Sequence, residues 1–198
     1  LLLDEAFSEL DVTLRSQVRE QTLEILKKRG QTALLVTHDP EEAMFMSDQL
    51  LIMDEGRIIQ SGTSIEIYQN PKTAFVAGLF GPINCLTAKV NGGDFVDTIF
   101  GKFPVKGVAP GGLVNILIRP EGVTPTPSRG NNTGTIALKV LSARPIGEAT
   151  HLRLKSECAL SENTTFFART PGIFLPELGS TNYFKIDNKH VFIFPSQY

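Results

Sequence analysis

Two adjacent carboxylates, Asp4 and Glu5, close the apolar run "LLLD", and His38 closes a second one, "TALLVT" (32 to 37). An acid so placed can hold the water shell of Mg²⁺, a hard cation that takes oxygen ligands. A neighbouring carboxylate can orient an attacking water, and an imidazole nearby can donate a hydrogen bond to developing negative charge. Each residue has a plainer reading taken singly: Asp4 as a turn residue, Glu5 as a solvated acid, His38 as the residue before a helix cap. Taken jointly, two strand ends each carry a reactive group, and that convergence favours chemistry.

The elements that must position these groups are short and well punctuated. "LLLD" and "TALLVT" are continuous apolar runs, which suit parallel strands covered on both faces. Between them Leu14, Val18, Ile25 and Leu26 are spaced for one helical face. Asp11 as N-cap and Gly30 as C-terminal stop bound a helix over about 12 to 29. After His38, Asp39 can cap and Pro40 suits the first helical position, with Glu41 and Glu42 complementing the helix dipole. "QLLIMDEGRIIQSG" predicts a hairpin turning at Glu55-Gly56, and "TSIEIYQNP" a brief helix ending near Pro71. Parallel strands ending in Asp4-Glu5 and His38 would bring these groups to one carboxyl edge, where open α/β sheets bind ligands.

Beyond Gly81-Pro82 the texture changes to short runs such as "LVNILI" (113 to 118), "TIALKVL" (135 to 141), "THLRLK" (150 to 155) and "HVFIFP" (190 to 195). Short strands with frequent turns predict an all-β sandwich or barrel over residues 83 to 198. "TPTPSRGNNTG" (124 to 134) is the most loop-like stretch. Length and composition fit two soluble globular modules, with 41% hydrophobic and 20% charged residues in 198. The net charge of −2 conceals a split: seven Lys+Arg against thirteen Asp+Glu up to residue 82, twelve against eight beyond it. The basic residues of the second module are scattered along the chain, and most of the thirteen Phe lie in apolar runs that read as core, so no nucleic-acid partner is expected. Cys85 and Cys158 have neither zinc nor dithiol spacing and read as free thiols, and no apolar run is long enough to cross a bilayer.

"LLLDEAFSELD" followed by "LLVTHDPEEAM" resembles the Walker B segment, D-loop and histidine switch of ATP-binding-cassette (ABC) ATPases, the motors of ABC transporters. "LIRPEGV" (117 to 123) and the closing "HVFIFP" resemble the OB-like regulatory domain, called TOBE, that follows the ATPase domain in importer subunits for maltose, polyamines and ferric iron. The resemblance implies an α/β remnant of a P-loop NTPase domain over 1 to 80 and an all-β OB-like domain over 83 to 198. It implies ATP and Mg²⁺ as cofactors, Asp4 as the metal-holding acid, Glu5 as general base or water-orienting residue, and His38 at the γ-phosphate. Ser8, Leu10 and Asp11 match the D-loop, which in this family crosses a dimer seam toward the partner's nucleotide. Ala6 stands where the family usually has Pro, and Glu9 where it has a small residue. For Arg119 and Glu121 the expected role is a structural ion pair at a strand end. The implied partners are transmembrane permease subunits, a second ATPase subunit and, indirectly, a substrate-binding protein, at the cytoplasmic face of the bacterial inner membrane. Residues 100 to 123 lean toward the ferric-iron type.

The 198 residues contain no G-x-x-x-x-G-K-[ST] phosphate loop, no family signature sequence and no glutamine loop, all expected upstream of Leu1. Phosphoryl transfer depends on positioning and charge stabilisation, so the chain by itself is expected to be inactive toward ATP. Leu1 to Leu3 are expected to lie partly exposed. The alternative is an OB-like ligand- or protein-binding regulatory module without ATPase activity.

Overall fold

Asp11 and Gly30 bound the first helix through the interactions their types allow. In the computed structural model, which describes residues 1–92, 94–127, 134–156 and 164–196, α1 runs Val12–Arg29. The Asp11 carboxylate accepts from the N–H groups of Thr13 and Leu14, and Gly30 stops the helix at φ 58°, a left-handed conformation that glycine adopts without strain. The chain divides into two compact units, Leu1–Lys72 and Thr73–Tyr198.

In the first unit β1 (Leu2–Asp4) and β2 (Leu34–Val36) pair in parallel, with Leu2 opposite Leu34 and Asp4 opposite Val36. α2 (Pro40–Met46) starts with Asp39 as N-cap and Pro40 in its first turn. β3 (Leu50–Asp54) and β4 (Arg57–Gly62) form the hairpin, and Glu55 and Gly56 both take positive φ, as the preferred two-residue turn demands. α3 (Ser64–Gln69) opens with a reciprocal capping box between Thr63 and Glu66. The buried Gln60 side chain donates to the Asn70 carbonyl and accepts from the Lys72 N–H, tying the segment after α3 back to β4.

Leu1 and Leu2 are 56% and 78% exposed, in line with the exposure expected for Leu1 to Leu3, and the exposure extends to Leu34 and Val36 of β2, at 52% and 53%, although parallel strands ordinarily have both faces covered. No residue of α1 is buried, and Leu14 and Ile25 face solvent. The half-buried stripe of α1 runs instead through Arg15, Val18, Arg19, Thr22, Leu23 and Leu26. Two of these six side chains are arginines, which is why apolar spacing alone misplaces the inward face.

The second unit opens with α4 (Ala74–Gly78) and continues as antiparallel strands with short 3-10 turns at Pro120–Gly122 and Asn188–His190. β5 (Asn84–Lys89), β8 (Leu113–Ile118) and β14 (Val191–Pro195) form a three-stranded sheet in the order β14-β8-β5. β6 (Phe95–Thr98) and β7 (Gly101–Pro104) form a hairpin. β9 (Val123–Thr126), β10 (Thr135–Ile146), β11 (Ala149–Ser156), β12 (Thr165–Pro171) and β13 (Thr181–Ile186) form a five-stranded sheet in the order β12-β11-β10-β13-β9. Burial alternates along β11 and β12 at the strand period, and Leu152, Leu154 and Phe166 meet Ile116 and Ile118 of the other sheet in one core. Phe100 packs edge-on against Phe166, with ring centroids 5.2 Å apart.

One buried polar side chain joins the two sheets. Asn84 on β5 donates to the carbonyls of Ile118 and Phe167 and accepts from the Phe167 N–H at 2.6 Å, so every contact it makes is a backbone group that burial would otherwise strand. The reading of most Phe as core needs correction. Phe7, Phe100, Phe103, Phe166 and Phe184 are buried, whereas Phe45, Phe75 and Phe167 are exposed. Cys85 is a free, exposed thiol on β5; Cys158 and residues 128–133 of the loop-like stretch lie outside the described residues.

Candidate functional site

The parallel pairing of β1 and β2 ends at Asp4 opposite Val36, so whatever follows each strand emerges on the same edge. Glu5 follows with φ 45°, a left-handed conformation that costs a non-glycine residue energy and is held by its N–H donating to the Val36 carbonyl at 2.9 Å. This turn aims the Glu5 side chain at His38, two residues beyond β2. Its Oε1 lies 3.1 Å from His38 Nδ1. An ionised carboxylate can only accept, so the contact requires the proton on Nδ1 and leaves Nε2 for another partner. Both side chains are open to solvent, at 52% and 75%. Asp4, also exposed, stands beside them at the strand end.

The loop from Phe7 to Leu10 is organised around the same edge. Phe7 is buried, and the Ser8 hydroxyl donates to the Glu5 carbonyl. Asp11 lies at the far end of the loop, where its Oδ1 caps α1. The structure thus brings Asp4, Glu5 and His38 together, keeps Ser8 on the Glu5 turn, and gives Asp11 a helix-capping role.

Two arginines one helical turn apart on α1 hold both sides of this arrangement. Arg15 Nη2 donates to the carbonyls of Ser8 and Leu10 at 3.2 and 2.8 Å. Arg19 donates from Nε to Glu42 Oε1 and from Nη2 to Asp39 Oδ2, both at 2.9 Å, bridging the cap and first turn of the helix that follows His38. Glu42 is buried, and Arg19 supplies the ion-pair partner its carboxylate has in place of water. Burial alone would raise the Asp39 carboxyl. Hydrogen bonds from Arg19 and from the N–H groups of Glu42 and Glu41 outweigh it and hold Asp39 below its ordinary range. Arg19 is likewise raised: burial acts against its charge, and hydrogen bonds to Asp39 and Glu42 prevail. Sequence reading missed both arginines. The one signal they leave in the sequence is the i, i+4 spacing of two cations on a single helical face.

Among the described residues no group of three or more His, Cys, Asp and Glu could hold a metal ion unaided. Asp4 with its neighbouring carboxylate fits Mg²⁺ nonetheless, because that ion keeps several waters and is ordinarily held by one or two carboxylates together with substrate phosphates.

In the second unit Arg119 is buried, with its guanidinium carbon 4.8 Å from the centre of the Phe192 ring and 5.8 Å from that of Phe80. The Glu121 carboxylate lies 4.0 Å from His190 Nδ1. Between them Gly122 has no room for a side chain, since an added Cβ would stand 2.5 Å from the Cβ of His190. A separate groove of about 390 Å³ is lined by Phe103, Val105, Lys106, Asn188, Ile193 and Phe194, among others.

No protein-family model matches the chain. It is 38% identical over 166 residues to the Fe(3+) ions import ATP-binding protein FbpC of Streptomyces coelicolor, covering 81% of this chain and 47% of that protein. The protein of the same description from Streptomyces avermitilis is 36% identical over 169 residues, covering 82% and 48%. The spermidine/putrescine import ATP-binding protein PotA of Escherichia coli K12 is 42% identical over 131 residues, covering 61% of this chain and 34% of that protein. The chain spans about half the length of the Streptomyces relatives it matches. Among solved structures, the cytoplasmic molybdate-binding protein ModG superposes on 57% of this chain and 94% of its own with a TM-score of 0.40 and 12% identity, too loosely to assign a fold. Over about four fifths of its length, the chain is related in sequence to the ATP-binding subunits of ABC importers.

Proposed function

We propose that the chain forms the catalytic-edge and regulatory parts of an importer ATPase that couples ATP hydrolysis to substrate uptake, with ferric iron as the transported species. The observation that carries this reading is the Glu5–His38 contact at the shared edge of β1 and β2, with Asp4 beside it. Asp4 would hold Mg²⁺ through water, and that ion, when bound, would supply neutralisation of phosphate charge; the Glu5 carboxylate orients the attacking water and receives its proton. His38 uses Nε2 toward the γ-phosphate, and donation from that atom requires the doubly protonated ring while Nδ1 stays hydrogen-bonded to Glu5. Ser8, Leu10 and Asp11 face a second subunit, giving a homodimer that docks on transmembrane permease subunits at the cytoplasmic face of the inner membrane. Iron rests on the printed names of the two Streptomyces relatives. Residues 1 to 80 belong to the nucleotide-binding domain and 83 to 198 to an OB-like TOBE domain.

The test is Glu5→Gln in the full-length transport protein carrying this sequence. Bound ATP should persist while turnover falls by at least about a hundredfold, the scale of losing a general base. Normal turnover would refute the role of Glu5. The 198 residues alone, without a phosphate-cradling loop, should show ATP hydrolysis no faster than a protein-free blank, and measurable turnover would overturn that reading. A regulatory binding module without ATPase activity is favoured by one observation, the continuous core of the second unit with its groove. That alternative predicts no ATP turnover attributable to this chain, with Glu5 or with Glu5→Gln.

A further inference from the structure

The five strands β9 to β13 contain no Asp or Glu, yet they carry Lys139 and Arg144 on β10, Arg153 and Lys155 on β11, Arg169 on β12 and Lys185 on β13. Scattered along the chain, these residues become neighbours through the strand register. Arg144 lies opposite His151, and His151 opposite Arg169, so three exposed basic side chains form one row across three strands. Two residues along β11, Arg153 is opposite the exposed Phe167, and two further on Lys155 is opposite Lys139. Like charges directly opposite one another destabilise a sheet. Among the described residues no ion pair relieves Arg144, Arg153, Arg169 or Lys185.

We propose that the outer face of this sheet is a binding site for a soluble polyanion built as a chain of phosphoryl groups. Charges on this face repeat about every 4.8 Å across strands and about 6.7 Å along them, and an extended phosphate chain can meet several at once. The site needs multivalency, because an open sheet face cannot enclose a single small anion. One exposed aromatic, Phe167, is too few for a run of stacked bases, which disfavours single-stranded nucleic acid. The apolar border at Ile146 and Ile173 carries the exposed acids Glu148 and Glu177 nearby in sequence, which disfavours insertion into an anionic bilayer. The inference concerns the second unit alone and does not depend on the ATPase reading.

Fluorescently labelled linear inorganic polyphosphate titrated into the full 198-residue chain tests it. Binding should be saturable, unaffected by orthophosphate at equal total phosphate, and steeply salt-dependent. With four engaged cations and a slope of about −0.7 per contact, affinity should fall about 50-fold between 50 and 200 mM salt. Arg144→Glu with Arg169→Glu should weaken binding at least tenfold without moving the melting temperature. Lys27→Glu with Lys28→Glu, the same change of net charge at the end of α1, should leave it within twofold. Equal losses in both double variants would overturn the site by reducing it to net charge. Absent binding at low salt, displacement by orthophosphate, or tighter binding to an oligothymidylate or to phosphatidylglycerol vesicles would also overturn it.

Discussion

Arg19 sits between Asp39 and the buried Glu42, and its removal strands a carboxylate that has left water. Arg19→Gln should therefore destabilise the first unit by about 3 kcal/mol, the scale of breaking a buried ion pair, as read by chemical denaturation. The same substitution changes the acid limb of stability. Because the folded Asp39 carboxyl lies below its ordinary value, its contribution is complete above the unfolded value of about 3.9 and is lost as pH falls through the lower folded value. Without Arg19 that part of the loss on acidification should shrink in a plot of melting temperature against pH, leaving what the Glu41 and Glu42 N–H groups sustain. His38 is two residues from β2 and one from Asp39, so the variant should also broaden or shift the His38 ring signals in NMR spectra. Unchanged ring signals would show that Arg19 stabilises α2 without positioning His38.

α1 is the element in which capping and the candidate site compete for one residue. Asp11→Ala should cost about 1 kcal/mol and lower helicity, whereas Asp11→Ser should restore most of both, because a hydroxyl also accepts from the first helical N–H groups. A transport defect that persists in Asp11→Ser would separate a role at a subunit seam from the cap. The bounds of α1, the start of α2 and the Glu55-Gly56 turn are legible in the sequence because caps and turns are set by residues within four positions of each other. The inward face of α1 is not, because Arg15 and Arg19 lie on it for reasons found on other elements. β1 and β2 are legible as strands, yet Leu2, Leu34 and Val36 remain uncovered among the described residues.

At the scale of the molecule, the second unit owes its closure to Asn84 as well as to apolar packing. Asn84→Ala would remove the side-chain partner of the Phe167 N–H and carbonyl and of the Ile118 carbonyl and should cost about 2 to 3 kcal/mol of that unit's stability. Asn84→Asp loses the amide donors while keeping the shape, so it should be no better; wild-type melting of either variant would remove Asn84 from the closure of the two sheets. The charge split shows the same dependence on assembly. A surplus of four positive charges beyond residue 82 reads as dispersed in one dimension, and the strand register gathers six of the basic residues on a single sheet.

The sequence by itself determined the helix bounds, the hairpin, the all-β second part, and the placement of Asp4, Glu5 and His38 at the ends of two apolar runs. These are short-range matters of period, cap and turn, and neighbouring residues suffice to specify them. Only the tertiary structure decided the register of the parallel β1–β2 pair, Asp4 opposite Val36, that Glu5 takes a left-handed turn to reach His38, and that Arg19 spans Asp39 and Glu42. It also decided that Asn84 joins two sheets and that Arg144, His151 and Arg169 form one row. Such contacts depend on register, and a slip of one residue would send each strand's side chains to the opposite face.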